Sequence, residues 1–410
     1  MSTLCLALLC VAPGSQADDV EAVAREYAPL LTVEPGRALA LDRLAHAGRA
    51  VLPALESAGI DPADLRSLRE TVELHEALRD SYSGPRLFTF DGRPESLGTL
   101  LSRLETATGM TFHKHAVDLA APHSLELRDA TFWQALDALA RKVPFAYHPY
   151  VGDQLYLNAG PAPSKPVSYH GPFRLALDRL VFQRRIGFDR TTEHVRARIH
   201  VLWETHVLPL GLTKRWEFSR AEDDSGASLL LPPDAESPPA SPRPPASSRM
   251  PYEILDAGPL RPPAPGAKRL AVLEGTLEIE FPARVEKAVF EKPASGAAPS
   301  RPLEGVEVEL RSFASAASPG ILAEFALRFR DEKEAAAHRV GARDVTLVPL
   351  AGPAQAAQLA EVKVEKNVVS VSIRAYRLAA AREIREIVLR VPRGSRIMKV
   401  PFRFRDVELK

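Results

Sequence analysis

The side chains whose types and spacing could do chemistry begin with His113, His115, Asp118 and His123. Alternate residues of a strand share a face, so His113 and His115 would point the same way. Imidazole with carboxylate is a donor set for zinc or copper. No Glu or further His follows at ligand spacing, so an exposed strand running into a polar loop is the simpler account. Asp223-Asp224 beside Ser225-Gly226 offers paired carboxylates. Calcium takes roughly six to eight oxygen ligands, more than this stretch supplies, so it reads as a solvated turn. His170, His194, His200 and His206 could serve a hydrolase only if the fold gathered them with carboxylates. There is no Gly-x-Ser-x-Gly elbow, phosphate-binding glycine loop, Gly-x-Gly-x-x-Gly or His-Glu-x-x-His. No catalytic, cofactor-binding or metal residue is therefore assigned, and the chain is read as non-enzymatic.

Trp133, Trp203 and Trp216 admit two readings, a stacking platform for sugars or core packing, and core packing is favoured for each. Arg184-Arg185 with Arg196 and Arg198 makes a locally basic sheet face, of a kind that outward sheet faces often carry.

Composition narrows the partners. The 410 residues carry 53 Lys+Arg against 52 Asp+Glu, a net charge of +1. That balance excludes a nucleic-acid binder working by bulk charge. Hydrophobic residues at 45% and charged residues at 26% belong to a folded chain, and the length suits two to four domains. Leu4–Ala12 is a short apolar run, followed by Pro13-Gly14 and Ser15-Gln16-Ala17. Residues 1–17 read as a secretory signal peptide cleaved after Ala17. The run is too short to span a bilayer, and the mature chain is expected to have no membrane span. Cys5 and Cys10, the only cysteines, would leave with the peptide. The mature chain would then have no disulfide, thiolate metal site or cysteine nucleophile. An exported protein, periplasmic or extracellular, is expected.

Periodicity then supplies the elements. Residues 18–82 read as helical, with apolar positions at Leu41, Leu44, Ala45, Val51, Leu52 and Leu55 interrupted by Gly48 and Pro53. Asp61-Pro62 opens a second helix running to about Asp80. Residues 86–160 follow as a β-α-β-β-α-β-β module. Leu87–Phe90 is a strand, Asp91–Pro94 a turn into a helix, and Leu97, Leu100, Leu101 and Leu104 that helix's apolar face. Gly109 suits a left-handed cap, and Thr131 with Gln134 fits a capping box. From Val167 the period becomes two. Residues 166–292 and 301–410 read as two mainly antiparallel β-sandwich-like domains. The first carries a proline-rich insertion, 232–265, holding about a third of the 36 prolines. The fold class is thus α+β multidomain, and the two β regions read as a loose duplication.

Two stretches resemble known families. Residues 41–78, "LDRLAHAGRAVLPALESAGIDPADLRSLRETVELHEAL", resemble one HEAT-like helical hairpin. Residues 124–160, "SLELRDATFWQALDALARKVPFAYHPYVGDQLYLNAG", resemble the short N-terminal domain of secretins and TonB-dependent receptors. That resemblance implies an envelope module that contacts other proteins, often by pairing exposed strand edges. Neither a secretin barrel nor a receptor plug follows it. The expected function is a protein-interaction scaffold or adaptor whose partner is another envelope protein. The alternative is a carbohydrate- or cell-wall-binding protein acting through a β-sandwich face with Trp203 or Trp216.

Overall fold

Proline and glycine decide where the N-terminal helices start and stop. In the computed structural model, α1 covers Gln16–Tyr27, α2 Leu52–Ser57 and α3 Pro62–Ala77. The structure describes residues 16–32, 40–41, 43–45, 47–149, 154–162, 164–186, 191–232, 252–291, 293, 299–315, 320–338, 344–350, 355–376 and 383–409. The apolar run and both cysteines lie outside these residues, and α1 spans the expected cleavage point. Asp61 caps α3, its carboxylate accepting from the Ala63 amide at 2.7 Å, and Pro62 takes a first-turn position where no amide is needed. The first arm of the expected hairpin is broken. Gly48 adopts φ +76°, a 3-10 turn covers Arg49–Val51, and only the short α2 follows. Ala40, Leu44, Val51, Leu55, Leu68 and Val72 bury together as the core of this unit, which ends at Arg79. Tyr82, expected to close the helical segment, belongs to the second unit. Its ring is buried there, stacked 6.5 Å from Phe173 and edge-on 5.7 Å from Phe281.

The second unit, Asp80–Lys410, opens with the order β-α-β-β-α-β-β. The elements are β1 (Leu87–Ser96), α4 (Leu97–Thr108), β2 (Thr111–His115), β3 (Pro122–Thr131), α5 (Phe132–Lys142), β4 (Phe145–Pro149) and β5 (Gln154–Ala159). β1 pairs antiparallel with β3; β5 sits between β2, parallel to it, and β4, antiparallel. Leu97, Leu100, Leu101 and Leu104 of α4 meet Phe132, Trp133, Leu136 and Leu139 of α5 in one core. Gly109 caps α4 at φ +72°, and Thr131 and Gln134 form both bonds of the capping box on α5. Pro94 does not start the helix. β1 continues to Ser96, whose hydroxyl accepts from the Thr99 amide. The register slips between Asp91 and Pro94, with Gly92 at φ +80°, and an irregularity of this kind accommodates a residue with no amide to give.

The rest is antiparallel strand. β6 (Val167–His170), β7 (Phe173–Ile186), β8 (Thr191–Trp203), β9 (Gly211–Asp223), β10 (Tyr252–Leu260) and β11 (Arg269–Phe281) come first. β12 (Arg284–Glu291), β13 (Ser300–Leu303), β14 (Val306–Ser315) and β15 (Gly320–Phe329) follow. After α6 (Glu332–Ala337) come β16 (Val345–Pro349), β17 (Gln355–Ala356), β18 (Gln358–Glu365), β19 (Val368–Tyr376), β20 (Ile384–Arg393) and β21 (Arg396–Glu408). The sheet orders are β10-β8-β7-β6, β21-β11-β9, β12-β20-β16-β17 and β13-β14-β15-β19-β18. The last two share one core, in which Phe290, Val308, Phe325, Leu347, Val371 and Leu389 are buried. β10 lies inside the proline-rich insertion, a stretch whose prolines suit a disordered or polyproline excursion and bar it from a sheet interior. It is an edge strand, and its Pro259 falls in a register slip between Ala257 and Leu260, where the ladder asks for no amide. Residues 233–251 of the insertion lie outside the described residues.

Strand pairing also crosses the expected division at 292–301. β12 joins β20, while β21 returns to β11. The register is continuous across the crossing: Phe281 faces Arg396 on one side, and Arg284 faces Arg393 on the other. Two long strands thus thread both regions as a single ribbon. At Gly275 on β11 a Cβ would lie 2.3 Å from the Glu217 carbonyl and 3.0 Å from the Phe402 ring, so glycine is what lets β9 and Phe402 approach.

His338, just after α6, lies against Phe329, with ring centroids 4.8 Å apart. Its Nε2 has no hydrogen-bond partner among the described residues. Burial, with Arg393 nearby, pushes the imidazole down from its ordinary 6.5 to about 4. The unfolded chain then binds the proton more readily than the folded one. Stability present above pH 6.5 is expected to fall as pH drops towards 4, by up to about 3 kcal/mol. His338→Phe should flatten that step in urea unfolding followed across this window; an unchanged pH profile would place its cause elsewhere.

Candidate functional site

The residues that looked most chemical do not assemble. His113 on β2 hydrogen-bonds Gln154 at 2.7 Å and packs on the Tyr156 ring, while His115 is exposed at the strand end. Asp118 accepts from the Ala120 amide in its own turn, and His123 starts β3 opposite Glu95. Among the described residues no group of three His, Cys, Asp or Glu is placed to hold a metal. His170 lies on β6, opposite Phe173. His194 bonds Gln183 at 2.8 Å, His200 lies 3.7 Å from Asp178, and His206 bonds the Gly84 carbonyl at 2.5 Å. These contacts are separate from one another. Asp223 is buried as the centre of a turn, accepting from the Ser225 hydroxyl and from the amides of Ser225, Ala227 and Ala264. Those bonds, the Ser225 hydroxyl first, hold its carboxyl below the usual range, and they are the structural reason for the acidic pair.

Trp133 and Trp203 are buried, and the Trp133 indole N–H donates to the Pro172 carbonyl at 3.1 Å. Trp216 is half-buried with its ring edge-on to Phe402 at 5.4 Å. The three rings are packing elements and form no open stacking platform. Arg184 pairs with Glu193, and Arg198 makes two bonds to Asp256. Two of the four arginines of the basic face are thus paired with their own neighbours, and the Arg185 side chain lies outside the described residues.

Two features of the module stand out instead. The first is a groove of about 820 Å³ between the start of β1 and one side of α4. β1 pairs with β3 alone, and among the described residues no strand occupies its other edge. Phe88 and Phe90 turn inward, leaving Leu87 and Thr89 on the outer face. Leu87 is 44% exposed and stands at the mouth of the groove. The helix side is low: Gly98, Thr99, Ser102, Thr106 and Ala107 line it with short side chains. A Cβ at Gly98 would come within 3.3 Å of the Leu119 carbonyl, so the Leu119–Ala121 segment packs closely on the start of α4. An extended chain can lie here with its backbone on β1 and alternate side chains against α4.

The second feature fixes that module to the β-rich region. Asp137 of α5 and Arg174 of β7 form an ion pair, Arg174 Nε to Asp137 Oδ2 at 2.8 Å, with side chains only 6% and 5% exposed. The Tyr147 hydroxyl donates to the same carboxylate at 2.5 Å, and Tyr169 donates to its other oxygen. Burial above all, and then the Asp137 charge, hold both phenols protonated far above their ordinary range, against the lowering effect of Arg174. Desolvation pulls the Arg174 guanidinium down, but the charge and hydrogen bonds of Asp137 outweigh it and keep it charged. Nearby, the Thr205 hydroxyl donates to the Thr108 carbonyl at 2.6 Å, and Glu204 accepts from the Arg86 amide at 2.9 Å. β1 and α4 are thus mounted on a fixed base. One sequence signal points to the cluster: Asp137 falls at i+4 from Trp133 on the buried face of its helix.

The chain matches no family model, no curated protein and no solved structure with which it was compared.

Proposed function

We propose that this is an exported envelope protein that binds another protein by strand addition to β1. The module at 86–160 resembles the short N-terminal domain of secretins and TonB-dependent receptors, and its order β-α-β-β-α-β-β accords with that resemblance. The observation that carries the reading is the open edge of β1 beside the α4 groove. An incoming strand would gain main-chain hydrogen bonds from β1 and bury Leu87, a recognition mode that needs no catalytic group. The β-rich regions, proposed to be two sandwiches, act as spacers and carry the module. Export is proposed from the apolar run and small residues before Asp18. No helix among the described residues is long and apolar enough to cross a membrane. The carbohydrate alternative is less favoured, because Trp203 is buried and the half-buried Trp216 packs edge-on against Phe402.

The test is a photo-crosslinking amino acid in place of Leu87, used in living cells, with the joined peptides identified by mass spectrometry. The expected result is one envelope protein joined through one extended segment, and loss of that product when Thr106→Trp fills the groove. Scattered products insensitive to Thr106→Trp would sink the reading.

A further inference from the structure

We infer that the β1 groove selects an extended segment carrying a carboxylate, which pairs with Arg103. This rests on the strand-addition reading and adds to it the chemistry of the partner.

Arg103 is the only charged residue among those lining the groove. Its guanidinium reaches across the groove and donates to the Thr89 carbonyl at 3.1 Å and to Glu95 at 2.9 Å. It also lies 4.5 Å above the centroid of the Phe90 ring. The side chain is therefore held in place, yet it remains 44% exposed. In this position it covers a backbone acceptor at the strand edge, a common way for an edge to be kept from pairing with the wrong chain.

A strand adding to β1 brings its own amide to the Thr89 carbonyl. The Arg103 N–H now bonded there is displaced. That donor is charged and sits over an aromatic face, and where the incoming strand shields it from water, leaving it without a partner costs more than leaving a neutral group bare. Guanidinium presents its donors as a planar fork matched to a carboxylate, and the fork keeps its other prong on Glu95. A Glu or Asp on the incoming strand, facing α4 at this level, takes the displaced donor. A neutral side chain leaves it stranded. The one carboxylate already on Arg103 is Glu95, which holds the other prong of the fork, and Leu87, Thr89, Thr99, Ser102 and Thr106 of the lining are uncharged. Arg103 thus closes the edge against indifferent strands and opens it to acidic ones. Discrimination comes as much from the penalty on the wrong strand as from attraction to the right one.

The experiment pans a displayed library of random peptides against the full chain and measures the enriched peptides on four proteins: the parent, Arg103→Gln, Arg103→Lys and Thr106→Trp. The expected peptides share an acidic residue at a fixed place. Changing it to its amide, or Arg103→Gln in the protein, should each weaken binding by about tenfold or more, the worth of one charge-assisted bond. The two changes together should cost little beyond either alone. Arg103→Lys should restore part of the affinity, and Thr106→Trp should abolish it. If peptides bind in a Thr106→Trp-sensitive way without an acidic preference, or Arg103→Gln leaves them unchanged or tighter, the carboxylate inference fails and strand addition survives. If no enriched peptide is sensitive to Thr106→Trp, strand addition fails as well. Thermal unfolding of Arg103→Gln, whose site is exposed, should match the parent and separates loss of binding from loss of fold.

Discussion

Arg174→Met is expected to destabilise the second unit by about 3–5 kcal/mol, the range for removing one partner of a buried ion pair. The substitution keeps most of the side-chain length but leaves the Asp137 carboxylate in the interior with only the Tyr147 and Tyr169 hydroxyls on it. Two neutral donors do not replace a charge in a place water does not reach. The measurement is the midpoint of urea unfolding. The informative comparison is the double variant Asp137→Leu with Arg174→Met, which removes both charges and should recover most of the loss, since an apolar pair can substitute for a buried ionic one. A midpoint within about 1 kcal/mol of the parent for Arg174→Met alone would mean that the carboxylate is hydrated in solution, because surface pairs are worth no more than that. Because Asp137 and Arg174 lie on opposite sides of the join between module and β-rich region, the same variant should expose the join to protease near Gly160–Pro166.

Deleting Ser395–Lys410 is expected to do more. β21 contributes Met398, Val400, Phe402 and Phe404 to the interior, each buried. Loss of a single buried Phe costs about 3–5 kcal/mol, and a whole domain has about 5–15 kcal/mol to lose. Without β21, the strand β11 keeps only β9 as a neighbour. Limited proteolysis read by mass spectrometry should show cutting throughout β7–β11, while β12–β20, whose pairs β21 does not make, stays protected. Cutting confined to β12–β20, or no change at all, would show that the ribbon does not join the regions as the pairing indicates.

Local chemistry made the module legible before its structure. Gly109, the Thr131–Gln134 box and the leucines at Leu97, Leu100, Leu101 and Leu104 each act within one helical turn of themselves, and each is found where the pattern puts it. Pro94 misled for the same local reason. Proline favours a helix start, but a slipped register accommodates it equally well, and Ser96 holds the real cap. What was hidden is non-local. Nothing near Asp137 in sequence announces Tyr169 or Arg174, and no pattern in β12 or β21 says which sheet each will join. The groove was visible only as a strand beside a helix. Nothing in the sequence around Arg103 marks its contact with the Thr89 carbonyl. For His113 and Trp216 the sequence favoured a plain strand and core packing over chemistry, and the Gln154 bond and the Phe402 contact agree with that.

The ribbon has a consequence in time. A chain made from its N-terminus completes β11 at Phe281 well before Arg396 exists. During that interval the β11 edge that β21 will occupy has nothing to pair with, and Leu273, Leu277, Ile279 and Phe281 lie along it. All of β12 to β20 must be synthesised in the meantime, and its sheets hold most of their own partners. The middle of the sequence is therefore the last part of the β-rich region to close. For as long as synthesis takes, its open strand edge is the place where this chain is most exposed to pairing with another copy of itself.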